Sequence, residues 1–114
     1  MRRKPTRLWP WVVDLKESLR LYQELDDKLG IASVLEELAR FATAHEQLEW
    51  AARLFGAAER QRKVIGVPII PVERRTYKQR VAVVRDALGP NAFKAARSEG
   101  QAMTIEQAIA YAQE

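Results

Sequence analysis

Few side chains in this chain of 114 residues have the types and spacing that catalysis or metal binding requires. The sequence has no cysteine, and its one histidine, His45, has no second histidine with which it could share a zinc ion. A histidine that acts as a general base needs a buried partner and a cleft. Because His45 falls in a predicted polar turn, we expect its side chain to be solvated rather than catalytic.

Two pairs of adjacent acidic residues, Asp26-Asp27 and Glu36-Glu37, are the other groups that could transfer protons. Adjacent residues on a helix point about 100° apart, so Glu36 and Glu37 do not face each other. Asp26-Asp27 lies at a predicted helix end, where we expect solvation. The sequence has neither of the two glycine-rich phosphate-binding motifs. We therefore expect a protein that is not an enzyme and that uses no cofactor or metal.

Charge is distributed in blocks along the sequence. Residues 1–13 hold four bases and no acid, residues 14–52 hold four bases and nine acids, and residues 53–85 hold nine bases and two acids. Two groups of basic residues could contact phosphate, namely Arg2, Arg3, Lys4 and Arg7, and Arg74, Arg75, Lys78 and Arg80. For the second group, solvation of a helix face or pairing with the acidic block is the interpretation that we favour over nucleic-acid binding.

The elements that must position these residues are helices. Apolar residues recur every three or four positions and predict an all-α fold of about six helices. Their expected ranges are Pro10 to about Lys28, 31–44, 48–65, 72–88, 90–100 and 105–112. Residues 1–9 lack this period, and we expect them to form a basic, poorly ordered arm ahead of one helical domain over residues 10–114.

Glycines, prolines and one capping motif mark the predicted helix ends. Gly30 is available as a helix stop or for left-handed backbone, and Gly100 is expected to close helix five. Thr104 and Gln107 have the spacing of a capping box. The predicted inner faces are Tyr77, Val81, Val84 and Leu88 in helix four, and Ala92, Phe93, Ala95 and Ala96 in helix five.

Residues 67–71 read Val-Pro-Ile-Ile-Pro and cannot continue a helix, because each proline favours an extended conformation of the residue before it. Large aliphatic side chains favour burial, so we expect this segment to be a strap packed over the end of the neighbouring helices. A polyproline-type ligand for another domain is the alternative.

Residues 31–66 form a predicted helical hairpin with small side chains where the two backbones would approach. The pattern consists of Leu38, Ala39 and Ala42 on the first helix and Ala51, Phe55 and Ala58 on the second. It resembles a tetratricopeptide repeat, which implies an α–α superhelix. Helix one would then belong to a preceding repeat about 40 residues earlier. The pattern departs from that family at Lys63, where a closing proline is expected, and it lacks the opening tryptophan.

Longer blocks resemble the C-terminal tail of large bacterial regulators of the LuxR/AfsR type and of related predicted ATPases and cyclases. The blocks are residues 17–28, residues 51–60, Leu88-Gly89, Ala92-Phe93, Glu99-Gly100 and residues 103–108, within a resemblance that covers about residues 14–113. Such regulators join a DNA-binding or cyclase module and a nucleotide-binding ATPase to a tetratricopeptide-like tail. The resemblance implies a cytoplasmic regulatory interaction module, and it does not extend to the ATPase or DNA-binding activities.

The leading hypothesis is therefore a non-catalytic helical-repeat module that binds a protein partner. The alternative is a nucleic-acid-binding accessory domain that uses the basic arm and Arg74–Arg80. No apolar run approaches the roughly 20 residues that cross a bilayer, so we expect no membrane partner.

Helix one also predicts a homodimer, because its apolar face has no partner helix earlier in the chain. The candidate interface consists of Trp9, Trp11, Leu15, Leu19 and Tyr22. Two copies could cover each other's apolar patches around a two-fold axis. The rival arrangement is that helices four to six fold back and cover helix one within a single chain.

Overall fold

The computed structural model describes the backbone of residues 10–114 and the side chains from Asp14 onward. It confirms the all-α prediction, because this part of the chain forms six helices and no strand. The helices are α1 (Pro10–Glu24), α2 (Lys28–Ala44), α3 (Leu48–Ile65), α4 (Pro71–Leu88), α5 (Pro90–Gln101) and α6 (Ile105–Ala112). Over the same residues, no helix is both long enough and apolar enough to cross a membrane.

The first three helices end in the same way and at equal intervals. Asp26, Glu46 and Gly66 adopt left-handed backbone, with φ of 55°, 60° and 74°. Each donates its N–H to the carbonyl three residues back, and the next residue donates to the carbonyl five residues back, which is the Schellman arrangement. The spacing of 20 residues between successive left-handed positions fits a repeated helical unit. The tetratricopeptide assignment itself stays a prediction.

The first turn differs from the prediction at Gly30. α1 ends at Glu24, and α2 begins at Lys28, so Gly30 lies inside a helix. The left-handed residue is Asp26, and the Asp27 carboxylate caps α2 by accepting the Gly30 N–H at 2.9 Å. The glycine at position 30 instead leaves room for Tyr22, because a Cβ there would lie 2.6 Å from the Tyr22 ring.

The α2–α3 hairpin is the centre of the core. The small residues predicted at its contact are fully buried, namely Ala39, Ala42, Ala51 and Ala58. Phe55 is 1% exposed, and its ring meets the Tyr77 ring edge to face with centroids 5.7 Å apart. Small side chains on the facing helices let their backbones approach, so the buried aliphatic and aromatic side chains can pack around a close crossing.

α3 also crosses α5, at two glycines. A Cβ added to Gly56 would lie 2.2 Å from the carbonyl oxygen of Arg97, and one added to Gly100 would lie 2.0 Å from the carbonyl oxygen of Arg53. Only residues without a side chain permit so close an approach. The prediction that Gly100 closes helix five is wrong, because Gly100 is buried within α5 at this backbone contact.

The inner face of α1 packs against the rest of the chain. Leu19 is fully buried, and Leu15 and Tyr22 are half-buried against the same core. α1 contacts α2, and the Lys16 ammonium donates a hydrogen bond to the Gln113 carbonyl beyond α6. The choice of Leu19 as a dimer-interface residue is therefore wrong, since its own chain covers it. Trp9 and the side chain of Trp11 lie outside the described residues.

The last two helices follow the sequence pattern in part. Phe93 and Ala96 of α5 are buried as predicted, whereas Ala92 and Ala95 are exposed. The capping box at the start of α6 is confirmed, because the Thr104 hydroxyl accepts the Gln107 N–H and the Gln107 side chain accepts the Thr104 N–H. The error in α5 arises because the glycine contact tilts the buried stripe toward Phe93, Ala96 and Gly100.

α4 lies at the surface of this assembly, preceded by the strap of residues 67–70. Val81 and Val84 are its buried residues, and Tyr77 and Leu88 are half-buried, as predicted. The strap is less covered than predicted, because only Ile69 is half-buried and the remaining strap residues are exposed. Most of α4 is therefore available to contact something outside the chain.

Candidate interaction groove along α4

An open groove of about 700 Å³ runs along α4 and is bounded by the strap and by α5. Ile69, Tyr77, Val81 and Ala82 form its apolar floor. Five cationic side chains form its rim, namely Arg74, Arg75, Lys78, Arg85 and Arg97. We refer to this feature as the α4 groove. It combines an apolar surface with a border of one sign of charge, and none of the described residues that line it is a carboxylate.

A hydrogen-bonded cluster centred on Glu59 of α3 fixes the inner wall of the α4 groove. The Glu59 carboxylate accepts two hydrogen bonds from the Arg97 guanidinium, each of 2.8 Å, and one of 2.9 Å from the Gln101 amide. It also accepts a short hydrogen bond from the Tyr77 hydroxyl. Three helices, α3, α4 and α5, thus meet at one carboxylate, which holds Tyr77 and Arg97 in place.

The electrostatics of this Glu59 cluster follow from its contacts. Burial, followed by the neighbouring Glu59 carboxylate, raises the pKa of the Tyr77 phenol, so the hydroxyl is a donor at neutral pH. The hydrogen bonds to Glu59 raise the pKa of Arg97. Arg97 is therefore a cation whose charge is largely balanced by Glu59, and the net positive charge of the rim comes from α4.

The strap is held in place by a second ion pair. The Arg62 guanidinium of α3 donates two hydrogen bonds to the Glu36 carboxylate of α2, at 2.5 and 3.1 Å. This pairing with Glu36 raises the pKa of Arg62. Arg62 also donates to the carbonyls of Val67 and Pro68, at 3.2 and 3.5 Å. The backbone that carries Ile69 is thereby tied to the α2–α3 hairpin.

The cations predicted on helix four fall on two different faces. Arg74, Arg75 and Lys78 line the α4 groove, together with Arg85, whereas Arg80 is not among its lining residues. Arg80 lies two residues beyond Lys78, which places it on the opposite side of the helix. Arg80 was predicted together with the other cations because it lies in the same run of the sequence. The helical period turns its side chain away from the groove.

Of the two arrangements favoured for these cations, the structure shows solvation of a helix face and not pairing with the acidic block. Among the residues that the structure describes, none of Arg74, Arg75, Lys78 and Arg80 forms an ion pair with a carboxylate. Several acidic residues of α1 and α2 instead pair within their own helix, as Glu17 and Glu24 do with Arg20 and as Glu37 does with Arg40. Arg74, Arg75 and Lys78 are therefore exposed groove cations that are available to an external anion, and Arg74 also donates a hydrogen bond to the Ile69 carbonyl at 3.4 Å.

The residues considered for chemistry occupy other places. His45 is the exposed C-cap residue of α2 and borders a shallow depression with Trp50 and Tyr111. Glu36 and Glu37 have separate arginine partners, so they do not form an acid–base pair. Within residues 10–114, no group of three or more His, Asp or Glu side chains is arranged to hold a metal ion.

The basic arm with Arg2, Arg3, Lys4 and Arg7 lies outside the described residues, so the structure brings none of it to the α4 groove. Sequence reasoning missed Glu59, Ile69, Arg85 and Arg97 as residues of the site. Glu59 is an isolated acid in a basic block, which is the one signal in the sequence that could have indicated a paired, structural carboxylate.

Comparisons with known proteins add no relative. No family model matches the chain, and no curated protein or solved structure shows a significant match.

Proposed function

We propose that this protein is a non-catalytic helical interaction module that binds a partner protein in the α4 groove. The observation that carries the proposal is the combination of an apolar floor with a cationic rim, in which Arg74, Arg75 and Lys78 have no ion pair among the described residues, on a helix that contributes little to the core. A helix whose surface is mostly exposed adds little to stability, so its composition is available for recognition.

The rigidity of the α4 groove supports the same function. Ile69 is carried by backbone that Arg62 holds, and Tyr77 and Arg97 are held by Glu59. Binding sites whose walls are already ordered lose less side-chain entropy when the partner arrives. The titratable groups in the groove wall are engaged in structural hydrogen bonds, which suits a binding surface better than a reaction centre.

Site-specific photo-crosslinking tests this proposal. A benzophenone side chain is placed at Gln79, which lines the α4 groove, or at the neighbouring Arg80, which does not. We expect a covalent adduct with one protein species from the producing cells at position 79 and little or none at position 80. Equal adducts at the two positions, or no protein adduct at position 79, would contradict the proposal.

The second candidate function is nucleic-acid binding, and the observation that favours it is the set of solvated cations on α4. A salt titration separates the two functions, because phosphate contacts make affinity fall steeply with salt concentration. If nucleic acid is the ligand, charge reversal at Arg74 and Arg75 abolishes binding. Absence of binding to duplex and single-stranded probes at low salt would reject this candidate.

The family and cellular setting belong to the same proposal. A tetratricopeptide-like tail of a LuxR/AfsR-type regulator, located in the cytoplasm, would use such a groove to receive a regulatory protein. The 20-residue spacing of the first three helix ends supports a repeated helical unit. The homodimer stays a prediction, and sedimentation at micromolar concentration tests it: a monomer that persists at these concentrations would contradict it.

A further inference from the structure

We infer that the occupant of the α4 groove is an acidic, amphipathic helix of the partner protein. This inference rests on the proposed function and specifies its ligand. Three features of the groove carry it: the sign of its rim charge, the chemistry of its floor, and the saturation of its backbone hydrogen bonds.

The rim charge selects an acidic ligand. Arg74, Arg75 and Lys78 lie on the rim without carboxylate partners among the described residues. Arg85 also lines the rim and has only its exposed neighbour Asp86 at 3.4 Å. Carboxylates of a ligand would meet Arg74, Arg75 and Lys78 without breaking an ion pair of the described residues, so the complex gains attraction there.

The backbone of the groove walls selects a helical ligand. An extended peptide binds by pairing its N–H and C=O groups with a free strand edge, and the described part of this chain has no strand. Two of the walls, α4 and α5, are helices, whose internal backbone groups already bond to one another. On the third wall, the strap, the carbonyls of residues 67–69 accept hydrogen bonds from the arginine side chains Arg62 and Arg74. A ligand that satisfies its own backbone, as an α-helix does, leaves no buried polar group unpaired in the groove.

The length of the rim sets the size of that helix. Arg74 and Arg85 are eleven residues apart on α4, so at about 1.5 Å per residue the cations extend over about 16 Å. A ligand helix lying along α4 would contact the rim over about three turns of 5.4 Å each. Its acidic residues would then recur with the same helical period as Arg74, Lys78 and Arg85.

The floor selects an apolar stripe and disfavours nucleic acid. The half-buried side chains of Ile69 and Ala82 offer aliphatic contact, which suits leucine or similar side chains at three- and four-residue spacing. Base stacking needs an accessible aromatic face. Tyr77 is the one aromatic side chain among the described residues that line the groove, its ring packs on Phe55, and its hydroxyl is bonded to Glu59.

Designed peptides test the inference with defined probes. The first is a fluorescent peptide of about 16 residues, long enough for three turns, with leucines on one helical face and glutamates beside them. The second has the same composition in an order without helical period, and the third has lysine in place of glutamate. We expect the first to bind and the other two to bind at least about tenfold more weakly, because each loses either the stripe or the charge match.

Matched variants locate the binding. We expect Lys78→Glu to weaken binding of the first peptide about tenfold. Arg80→Glu makes the same change of charge on the opposite face of α4 and should change the affinity for this peptide by less than about twofold. Ala82→Trp leaves the charge unchanged and should block the groove by filling its floor. Far-ultraviolet circular dichroism establishes that each variant is folded.

The outcomes that overturn the inference are specific. Equal binding of the first and second peptides would show that helical period is not required. Equal effects of Lys78→Glu and Arg80→Glu would show that the attraction is nonspecific charge. Displacement of the peptide by single-stranded DNA, or self-association of the chain that Lys78→Glu abolishes, would assign the groove to a nucleic acid or to a second copy. If no peptide binds but Gln79 still crosslinks to one protein, the inference fails and the proposed function stands.

Discussion

α3 and α4 have the same length and opposite roles. Each has 18 residues, yet nine residues of α3 are buried against two of α4. α3 has small or apolar side chains toward α2 and α5, whereas α4 has five cations and touches the core through one narrow stripe. The comparison teaches that two helices of equal length can differ in what constrains their residues. Core packing constrains α3, whereas most residues of α4 are left for binding.

The largest expected difference concerns a single large side chain on each helix. Phe55→Ala in α3 should destabilise the protein by about 3–5 kcal/mol, since it leaves a cavity at a fully buried position. Val83→Ala in α4, where the side chain is 55% exposed, should change stability by less than about 0.5 kcal/mol. Urea unfolding measures both. Similar losses for the two variants would mean that the contrast between the helices is wrong.

The glycine crossing of α3 and α5 gives the next largest effect. Gly56→Ala should cost about 1–3 kcal/mol or more, because the new methyl group meets the backbone carbonyl of Arg97, which cannot rotate away. Gly30→Ala is the matched control, since its methyl group meets the Tyr22 ring and helix propensity favours alanine over glycine. We expect Gly56→Ala to unfold at a clearly lower temperature than Gly30→Ala. The reverse order would mean that α3 and α5 do not approach most closely at Gly56.

Alkaline pH tests the Glu59 cluster that joins the two helices. The pKa of Tyr77 is raised above its ordinary value of 10.0, first by burial and then by Glu59, so the folded state favours the neutral phenol. Its contribution to stability is complete below pH 10 and is lost as pH rises above it, with a slope approaching about 1.4 kcal/mol per pH unit.

The comparison that isolates Tyr77 is the unfolding free energy of wild type and Tyr77→Phe from pH 8 to pH 11. The wild type should lose stability more steeply above pH 10 than Tyr77→Phe does. Parallel curves for the wild type and Tyr77→Phe would show that the Tyr77 phenol is solvated.

The smallest expected effect is on the outer face of α4. Arg80→Glu should change the free energy of unfolding by less than about 0.5 kcal/mol, because Arg80 is exposed and has no ion pair among the described residues. Arg62→Gln in α3 provides the contrast, since it leaves the half-buried Glu36 carboxylate without its cation. If the two variants unfolded at the same temperature, the ion pair between Arg62 and Glu36 would not contribute measurably to stability.

The sequence was sufficient to predict most of this fold, because the signals were local. Helical period gave the six helices, and the capping box at Thr104 and the buried alanines of the α2–α3 hairpin were predicted directly. Gly100 was misinterpreted because a glycine near a helix end suits both termination and close packing. Only the position of Arg53 on another helix decides between them.

The candidate site was less predictable, because it depends on which residues the fold brings together. Arg74, Arg75 and Lys78 were visible in the sequence as a basic run. Arg97 on α5 and Glu59 on α3 are each 19 residues from Lys78 in the sequence, and only the fold brings them to the site. Leu19 shows the same limit in reverse. Its position on an apolar stripe predicts burial, and the sequence alone did not show that α2 of the same chain supplies the cover.

The direct contact between α3 and α5 has a consequence for cooperativity. α4 lies between them in the sequence, but α3 and α5 meet backbone to backbone without its help. α4 can therefore open with its flanking turns while the other helices stay packed, as a separate unit of local unfolding. In native-state hydrogen exchange the amides of α4 should exchange through this smaller opening, and those of α3 through global unfolding. A ligand in the groove would then slow exchange selectively in α4.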